Sequence, residues 1–491
     1  MISTIQNKPA RTALILLFWL FLWQGIAWAA GNKILFVGPF DVLKTLVSLA
    51  GKLDFWHSIA FSFQKISFGF LAGFFTGMFL GWLSFFHPFL QDFFAPVILL
   101  VKSVPVASFV ILALIWMGSG NLSVLISFLV VFPVIYINTI AGLKSTDQKL
   151  LEMAKVFRMT PWRKFLGLYW PALLPYLTSG CKTALGMSWK SGIAAEVIGV
   201  PEHTIGEQLY FSKIYLSTSE LFAWTLVIIL ASALFEKLFL KVLCQTKKAG
   251  LFLDISAGKP KSNRFRFLPK GSVKISANSK EEDSEFTLSI RKLSKNFNAL
   301  PIFEQLNLTI VSKQPCCIMG PSGSGKTTLL RILLNLETAD SGFCQVSGPG
   351  NGHSGGACDL KGFFAAAVFQ ENRLCESFSP IDNIRLVIPE LSKNQIIREL
   401  SRILPEECFS RPVSTLSGGM KRRVAILRAL LASSDGIIMD EPFTGLDEET
   451  KAQVIQYISE KSFGKLLILS THQEEDAALI NGKTVHLLPI V

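Results

Sequence analysis

GPSGSGKTTLL, residues 320–330, follows the apolar run CCIM, residues 316–319, and leads into a leucine-rich stretch. The spacing of Gly320, then Gly325-Lys326-Thr327, predicts a strand, a tight loop and a helix in that order. Gly320, Gly323 and Gly325, with Pro321, Ser322 and Ser324 between them, let the backbone wrap a phosphate and turn its N–H groups inward. Lys326 brings a positive charge to the outer phosphates, and Thr327 offers a hydroxyl to Mg²⁺. Thr328 and the leucines after it continue as a helix whose positive end faces the same anion.

Two further stretches in this half carry chemistry. DGIIMDEPF, residues 435–443, reads as an apolar strand ending in two carboxylates. Asp440 at its tip is placed to hold Mg²⁺ through water, and Glu441 to polarise an attacking water. Between loop and strand lies LSGGMKRRVAILRALL, residues 416–431. There Ser417, Gly418 and Gly419 open a second helix with free N–H groups suited to an anion. One domain with two phosphate-binding helix starts is more than one nucleotide requires.

These motifs resemble, in order, those of ATP-binding-cassette ATPases. LSGG at 416–419 resembles their signature, Gln370 in VFQENRL their Q-loop, and TGLD at 444–447, ending in Asp447, their D-loop. His472 in LSTHQEEDA resembles the switch histidine, and Phe297 in LSKNFNALPIF the aromatic that stacks on adenine. The resemblance covers nearly all of residues 286–491. It implies ATP and Mg²⁺ as cofactors, with Thr327, Gln370 and Asp440 around the metal and Glu441, His472 and Lys326 in catalysis. It also implies that two such domains close head to tail, the signature of one capping the nucleotide of the other. Met420 stands where most of the superfamily has Gln, as in many cassettes of the nitrate, sulfonate and taurine import group. CES follows QENRL where that group often has LPW, and the Gly-rich residues 345–362 read as a surface loop.

The first half is of another kind. Half of all residues are hydrophobic, and the excess lies before about residue 245. A spanning helix needs about 20 mostly apolar residues. Six stretches qualify: 12–30, 63–86, 94–117, 122–143, 172–198 and 220–243, while 36–57 reads as interfacial. Ala27 and Ala29 form an A-x-A pattern, but the apolar run before them is longer than that of a signal peptide. Basic clusters precede the first span, crowd the link between the fourth and fifth, and follow the sixth, which places all three on the cytoplasmic side. The net charge of +12 follows from that bias, and no basic stripe with interleaved aromatics points to nucleic acid.

The link LLEMAKVFRMTPWRKFLGLYWPALLP, residues 150–175, is too polar to span. Leu151, Ala154, Phe157 and Arg158 fall at helical spacing, and Thr160-Pro161 reads as a helix restart. This link resembles the E-A-A loop of bacterial importer permeases, which implies a coupling helix seated beside the Q-loop. The family pattern has Gly where this chain has Arg158. Residues 68–83 and 137–154 are similar to the same nitrate–sulfonate–taurine permease group. Inside the spans, charges cost roughly 2.5–3.5 kcal/mol each. Lys190 and Glu196 lie too far apart around one helix to pair, and Lys190 is a candidate for lining a pathway. Gly180, Gly186, Gly192 and Gly199 allow that helix to pack closely, while Lys65 and Lys102 fall near span ends. None of the eight cysteines forms a C-x-x-C pair, so zinc is not indicated; free thiols are expected, with Cys316 and Cys317 in a strand core.

The expectation is an all-α six-span permease domain (1–244, coupling loop about 144–171), a linker (245–285) and an α/β P-loop ATPase domain (286–491). Such a chain drives uptake of a small solute across the inner membrane, a sulfonate, nitrate or similar anion, as one half of a transporter. A thiamine precursor or flavin is an alternative solute, an exporter a rival transporter, and a membrane-anchored regulatory ATPase a rival of another class. The partners implied are membrane lipid, a second copy of the chain or a related half, and an extracytoplasmic solute-binding protein.

Overall fold

The computed structural model describes residues 8–32, 34–256, 286–297, 300–348, 351–354 and 363–488. Two compact units form. One takes residues 1–145 and 169–248, the other residues 146–168 and 249–491.

The first unit is helical. Its helices are α1 (Lys8–Ala30), α2 (Pro39–Ala50), α3 (Leu53–Phe86), α4 (Pro88–Ser103), α5 (Val106–Met117) and α6 (Leu122–Lys144). Two short helices of the second unit follow, α7 (Gln148–Val156) and α8 (Pro161–Lys164), and then a π-helical turn at Phe165–Tyr169. The bundle resumes with α9 (Trp170–Gly199), α10 (Ile205–Ile214) and α11 (Thr218–Ser256). Among the described residues only three helices are long and apolar enough to cross a membrane: Arg11–Ala30, Leu53–Phe86 and Leu122–Lys144. The pair α4 and α5 adds a fourth if it counts as one span. The expected six spans are thus not all recovered. The third, 94–117, is broken by a bend of 102°. Pro105 has no N–H to give the helix and holds Val104 extended (φ −76°, ψ 131°). The fifth, α9, carries Lys182, Lys190 and Glu196 among small and polar residues, which lowers its apolarity.

Packing in the bundle rests on glycine. Gly69, Gly73, Gly77 and Gly81 recur every fourth residue of α3, so they form one stripe, and α6 lies directly on it. A Cβ at Gly81 would stand 2.9 Å from the Cβ of Thr139. On α9, Gly180, Gly192 and Gly199 are likewise closed over by neighbours, whereas Gly186 has nothing within 4 Å. Glu196 is wholly buried and unpaired with Lys190, which is exposed. Its Oε2 accepts from Ser62 Oγ at 2.7 Å and from the Gly206 N–H at 3.2 Å, tying α9 to α3 and α10. α3 begins ten residues before the expected start at 63, so Lys65 lies inside the helix, and its Nζ donates to the Gly120 carbonyl.

The second unit holds two sheets. One is antiparallel, in the order β2 (Leu300–Val311), β1 (Thr287–Phe297), β4 (Ser341–Gly348) and β5 (Asn351–Ser354). The other is parallel, in the order β6 (Ala365–Val368), β7 (Gly436–Asp440), β8 (Leu466–Ser470), β3 (Cys316–Met319) and β9 (Lys483–His486). Its strands β6, β7, β8 and β3 are buried at every position, as a sheet covered on both faces requires. The covering helices are α12 (Lys326–Leu333), α13 (Pro380–Val387), α14 (Lys393–Leu400), α15 (Gly418–Leu430), α16 (Glu448–Lys461) and α17 (Glu474–Leu479). Residues 345–348 of β4 pair with 351–354 of β5 where an irregular loop was expected, while 349–350 and 355–362 lie outside the described residues. The expected linker, 245–285, begins as the end of α11, which runs to Ser256, and the rest of it lies outside the described residues. Cys316 and Cys317 are buried strand residues. Six described cysteines are free thiols, but Cys344 is disulfide-bonded, which corrects the expectation there.

Candidate functional site

Four neighbouring strands of the parallel sheet end together, and each end carries a residue singled out above. The paired positions Ile318 and Ser470, Asp440 and Ser470, and Val368 and Met439 set the register. Past β3 comes the phosphate loop, past β8 His472, past β7 Glu441, and past β6 Gln370. This is the carboxyl edge of an open parallel sheet, where such folds place their ligands.

The loop is built on glycine conformations. Gly323 and Gly325 have φ of 86° and 88°, and a Cβ at Gly320 would stand in hard contact with the Leu487 carbonyl. Gly325 opens α12 with no side-chain cap, which leaves the first N–H groups of the helix for an outside partner. Pro321, Ser322 and Thr327 are exposed, Thr328 is half-buried, and Ser324 Oγ is buried without a hydrogen-bond partner. Lys326 is buried and donates to the carbonyls of Gly320 (2.8 Å) and Pro321 (3.0 Å). Burial pulls its pKa below the ordinary lysine value, and Glu441 and Asp440 oppose that pull. Phe297, at the end of β1, keeps 43% of its surface exposed, with the Lys295 ammonium 4.8 Å from its ring centre.

Beside the loop sit the acid and the histidine. Asp440 is buried, and its Oδ1 accepts from Ser470 Oγ at 2.6 Å. The same Ser470 Oγ accepts from the Glu441 N–H at 3.0 Å, so one hydroxyl holds both acidic residues. Glu441 has a left-handed φ of 48°, and its Oε1 lies 2.7 Å from His472 Nε2. A carboxylate beside an imidazole at a sheet edge is suited to orienting and deprotonating a water. The donors Asp440, Thr327 and Gln370 offer only oxygen (carboxylate, hydroxyl and amide), the set that Mg²⁺ favours. Gln370 is exposed, and its own carbonyl is taken by Arg422 Nη2 at 2.7 Å.

The remaining predicted residues gather elsewhere. Ser417, Gly418, Gly419 and Asp447 line a hollow of about 490 Å³ together with Gln370, Asn372, Arg422 and Arg423. No phosphate-loop residue lines it. Ser417 caps α15 by accepting from the Met420 N–H at 3.3 Å, and Asp447 caps α16 by accepting from the Thr450 N–H at 2.9 Å. The predicted residues therefore fall into two groups: a loop with acid and histidine, and a signature hollow without them.

The link 146–168 belongs to this unit, and its anchor is ionic. Glu152 on α7 accepts from both terminal nitrogens of Arg331 (3.0 and 2.8 Å) and from Arg373 Nη1 (2.7 Å). Arg331 lies in the last turn of α12, and Arg373 follows Gln370 by three residues. The Arg331 hydrogen bonds, outweighing burial, hold the Glu152 carboxyl below its usual pKa. Lys149 pairs with Glu371 at 2.7 Å. Asp147 caps α7, whereas Thr160 occupies the cap position of α8 without a side-chain hydrogen bond. Arg158, where the resembled pattern has Gly, has φ 52°; its Nη2 donates to the Phe363 carbonyl at 2.7 Å and its guanidinium lies over the Phe364 ring.

Sequence reasoning missed Arg331, Arg373 and Ser470, whose partners are distant in the chain. Arg373 and Ser470 nevertheless sit inside quoted motifs, three residues after Gln370 and two residues before His472, and Arg331 directly follows the phosphate-loop stretch.

Residues 303–444 match the family model of the ABC transporter, and residues 69–240 that of the binding-protein-dependent transport system inner membrane component. The chain is 32% identical over 208 residues to the sulfate/thiosulfate import ATP-binding protein CysA of Mesostigma viride, covering 40% of this chain and 58% of that protein. It is 30% identical over 214 residues to the lipoprotein-releasing system ATP-binding protein LolD of Bacteroides fragilis, covering 41% of this chain and 97% of that protein. It is 34% identical over 197 residues to the Nod factor export ATP-binding protein I of Cupriavidus metallidurans, covering 39% of this chain and 64% of that protein. The chain thus spans well under two thirds of the first of these relatives.

Proposed function

The chain belongs to the ABC transporter family, with a permease-type segment and an ATPase segment in one polypeptide, and on that premise we propose that it is an ATP-driven importer half. Two copies, or this chain and a related half, bring the signature hollow of one over the phosphate loop of the other. Lys326 and the open N–H groups of α12 bind the phosphates. Phe297 stacks on the base. Mg²⁺, held by Thr327, Asp440 and Gln370, supplies charge neutralisation on the phosphates when bound. Glu441 orients and deprotonates the attacking water, and His472 fixes the Glu441 carboxylate and answers the transferred phosphate.

The observation that carries the reading is Glu152. A residue placed between two bundle helices is gripped at once by the phosphate-loop helix, through Arg331, and by the Q-loop, through Arg373. A change at either is felt by the link that leads into α9. Relatives of the cassette segment include import, lipoprotein-releasing and export proteins by name, so that segment does not set the direction. The permease match and the E-A-A-like link support import. The solute is proposed to be a small anion of the sulfate, sulfonate or nitrate kind, delivered by an extracytoplasmic binding protein at the inner membrane.

The test is ATP-dependent accumulation of labelled sulfate, taurine or nitrate in cells with and without this chain. Accumulation that vanishes with Glu441→Gln supports the reading. ATP hydrolysis by the purified chain with no accumulation of any of the three removes the anion assignment. No ATP hydrolysis by the purified chain, alone or paired, removes the engine itself.

A further inference from the structure

The signature helix carries two buried arginines that the proposed chemistry does not use. Arg422 donates through Nη1 to the Phe369 carbonyl (2.5 Å) and through Nη2 to the Gln370 carbonyl (2.7 Å). Arg428 donates through Nη1 to the Arg373 carbonyl (2.7 Å) and through Nη2 to the Asn372 carbonyl (3.3 Å). The two guanidiniums sit six residues apart on α15, about 9 Å along its axis. Between them they take four of the five backbone carbonyls of residues 369–373. Arg422 is 4% exposed and Arg428 not at all, and among the described residues neither has a carboxylate partner. Burying a guanidinium is costly unless its donors are used, and here backbone oxygens take both terminal nitrogens of each, while Arg428 Nε is buried without a partner. Burial draws both pKa values below the ordinary arginine range, Arg428 to about 10.

Such a grip does not read side chains; it fixes the shape and place of a loop. The loop in turn holds the link. Arg373 is set in a left-handed conformation (φ 46°) with its guanidinium 3.8 Å from the Phe369 ring centre, and its Nη1 reaches Glu152. Arg428 also lies 5.3 Å from the ring centre of Phe157, the residue that ends α7. From these contacts we propose that Arg422 and Arg428 are positioning residues that make residues 369–373 travel with α15. What the signature end of α15 meets is then delivered to α7 through Arg373 and Glu152. Glu152 thereby receives two inputs: Arg331 reports on the phosphate loop, and Arg373 on the signature. This rests on the reading of the chain as a coupled ATPase.

The test is hydrogen exchange of the full chain in lipid nanodiscs, on the Glu441→Gln background, with and without Mg-ATP. The parent is expected to show slowed exchange at residues 320–328, at 416–420 and at 148–156. Arg428→Lys keeps the charge and loses the fork. It should keep the ATP response at 320–328 and 416–420, and its ATP-free exchange at 148–156 should match the parent. The ATP response at 148–156 should shrink by about 2- to 30-fold, the range of couplings carried by single network residues. A purely structural role would instead raise the ATP-free exchange throughout the domain. Should Arg428→Lys not fold, Arg428→Gln, which keeps an amide donor and loses the fork, tests the grip in the same way. An undiminished response at 148–156 in the folded variant overturns the proposal alone. No ATP response at 320–328 in the parent overturns the coupled-ATPase reading, and the proposal with it.

Discussion

The helices α12 and α15 both begin at a Ser- and Gly-rich turn, yet they begin differently. At α12 the cap is Gly325 in a left-handed conformation with no side-chain bond, and the buried Lys326 stands at the first position. At α15 the cap is Ser417, whose hydroxyl already accepts from the Met420 N–H. Around the first gather Asp440, Glu441 and His472, while around the second lie arginines, Gln370 and Asp447. Resemblance in sequence thus conceals two different surroundings. One start is uncapped and stands beside an acid and a histidine, as the proposed ATP hydrolysis requires. The other has one of its first N–H groups taken by its own Ser417 hydroxyl and faces a hollow lined by arginines.

The largest effect that tests this division is Glu441→Gln. Loss of the proposed base should lower phosphate release by about 10²- to 10⁴-fold with ATP binding retained. Near-normal phosphate release would erase the contrast between the two helix starts. Next, Lys326→Ala should weaken ATP binding by about 10- to 100-fold, since a charged hydrogen-bond donor is removed. Ser417→Ala should leave ATP binding to an isolated chain unaltered. It should cost about 0.5–2 kcal/mol of local helix stability and reduce ATP-induced pairing, read by light scattering. Equal losses of ATP affinity in the two variants would show that both starts belong to one binding site within a chain. A smaller effect is expected at Glu152. Its folded pKa is depressed below 4.5, so the docking of α7 is fully present above that value and weakens as pH falls through the folded pKa. Protection from hydrogen exchange at residues 148–156, taken relative to the intrinsic rate at each pH, should fall below about pH 4.5 in the native chain. In Glu152→Gln that protection should be lower already at pH 7 and flat through the same window.

Most of the cassette side was legible because its chemistry is local. A phosphate loop, a strand ending in Asp440-Glu441 and a helix opening at Ser417-Gly418-Gly419 each need only neighbours in the chain; that Ser417 itself takes one of the N–H groups read as free was seen only in the structure. What sequence could not supply were the pairs. Glu152 was quoted as part of a helical link, but its hold by Arg331 and Arg373 spans about 180 and 220 residues of chain. Ser470 passed unnoticed because its service to Asp440 and Glu441 depends on β7 and β8 lying side by side. The bundle was harder for another reason. Apolar length alone does not tell a straight helix from a broken one, so 94–117 read as a span until Pro105 was placed at a bend. Nor did composition draw the eye to Gly69, Gly73, Gly77 and Gly81, whose period of four was visible but whose partner on α6 was not.

The bend between α4 and α5 limits what that part of the bundle can face. Because Pro105 brings no hydrogen, the Val101 oxygen at the corner loses the donor that an unbroken helix would give it. Acyl chains cannot satisfy such groups. When the chain sits in a bilayer, the corner at Val104–Pro105 must therefore look onto water or onto other protein, never onto lipid tails.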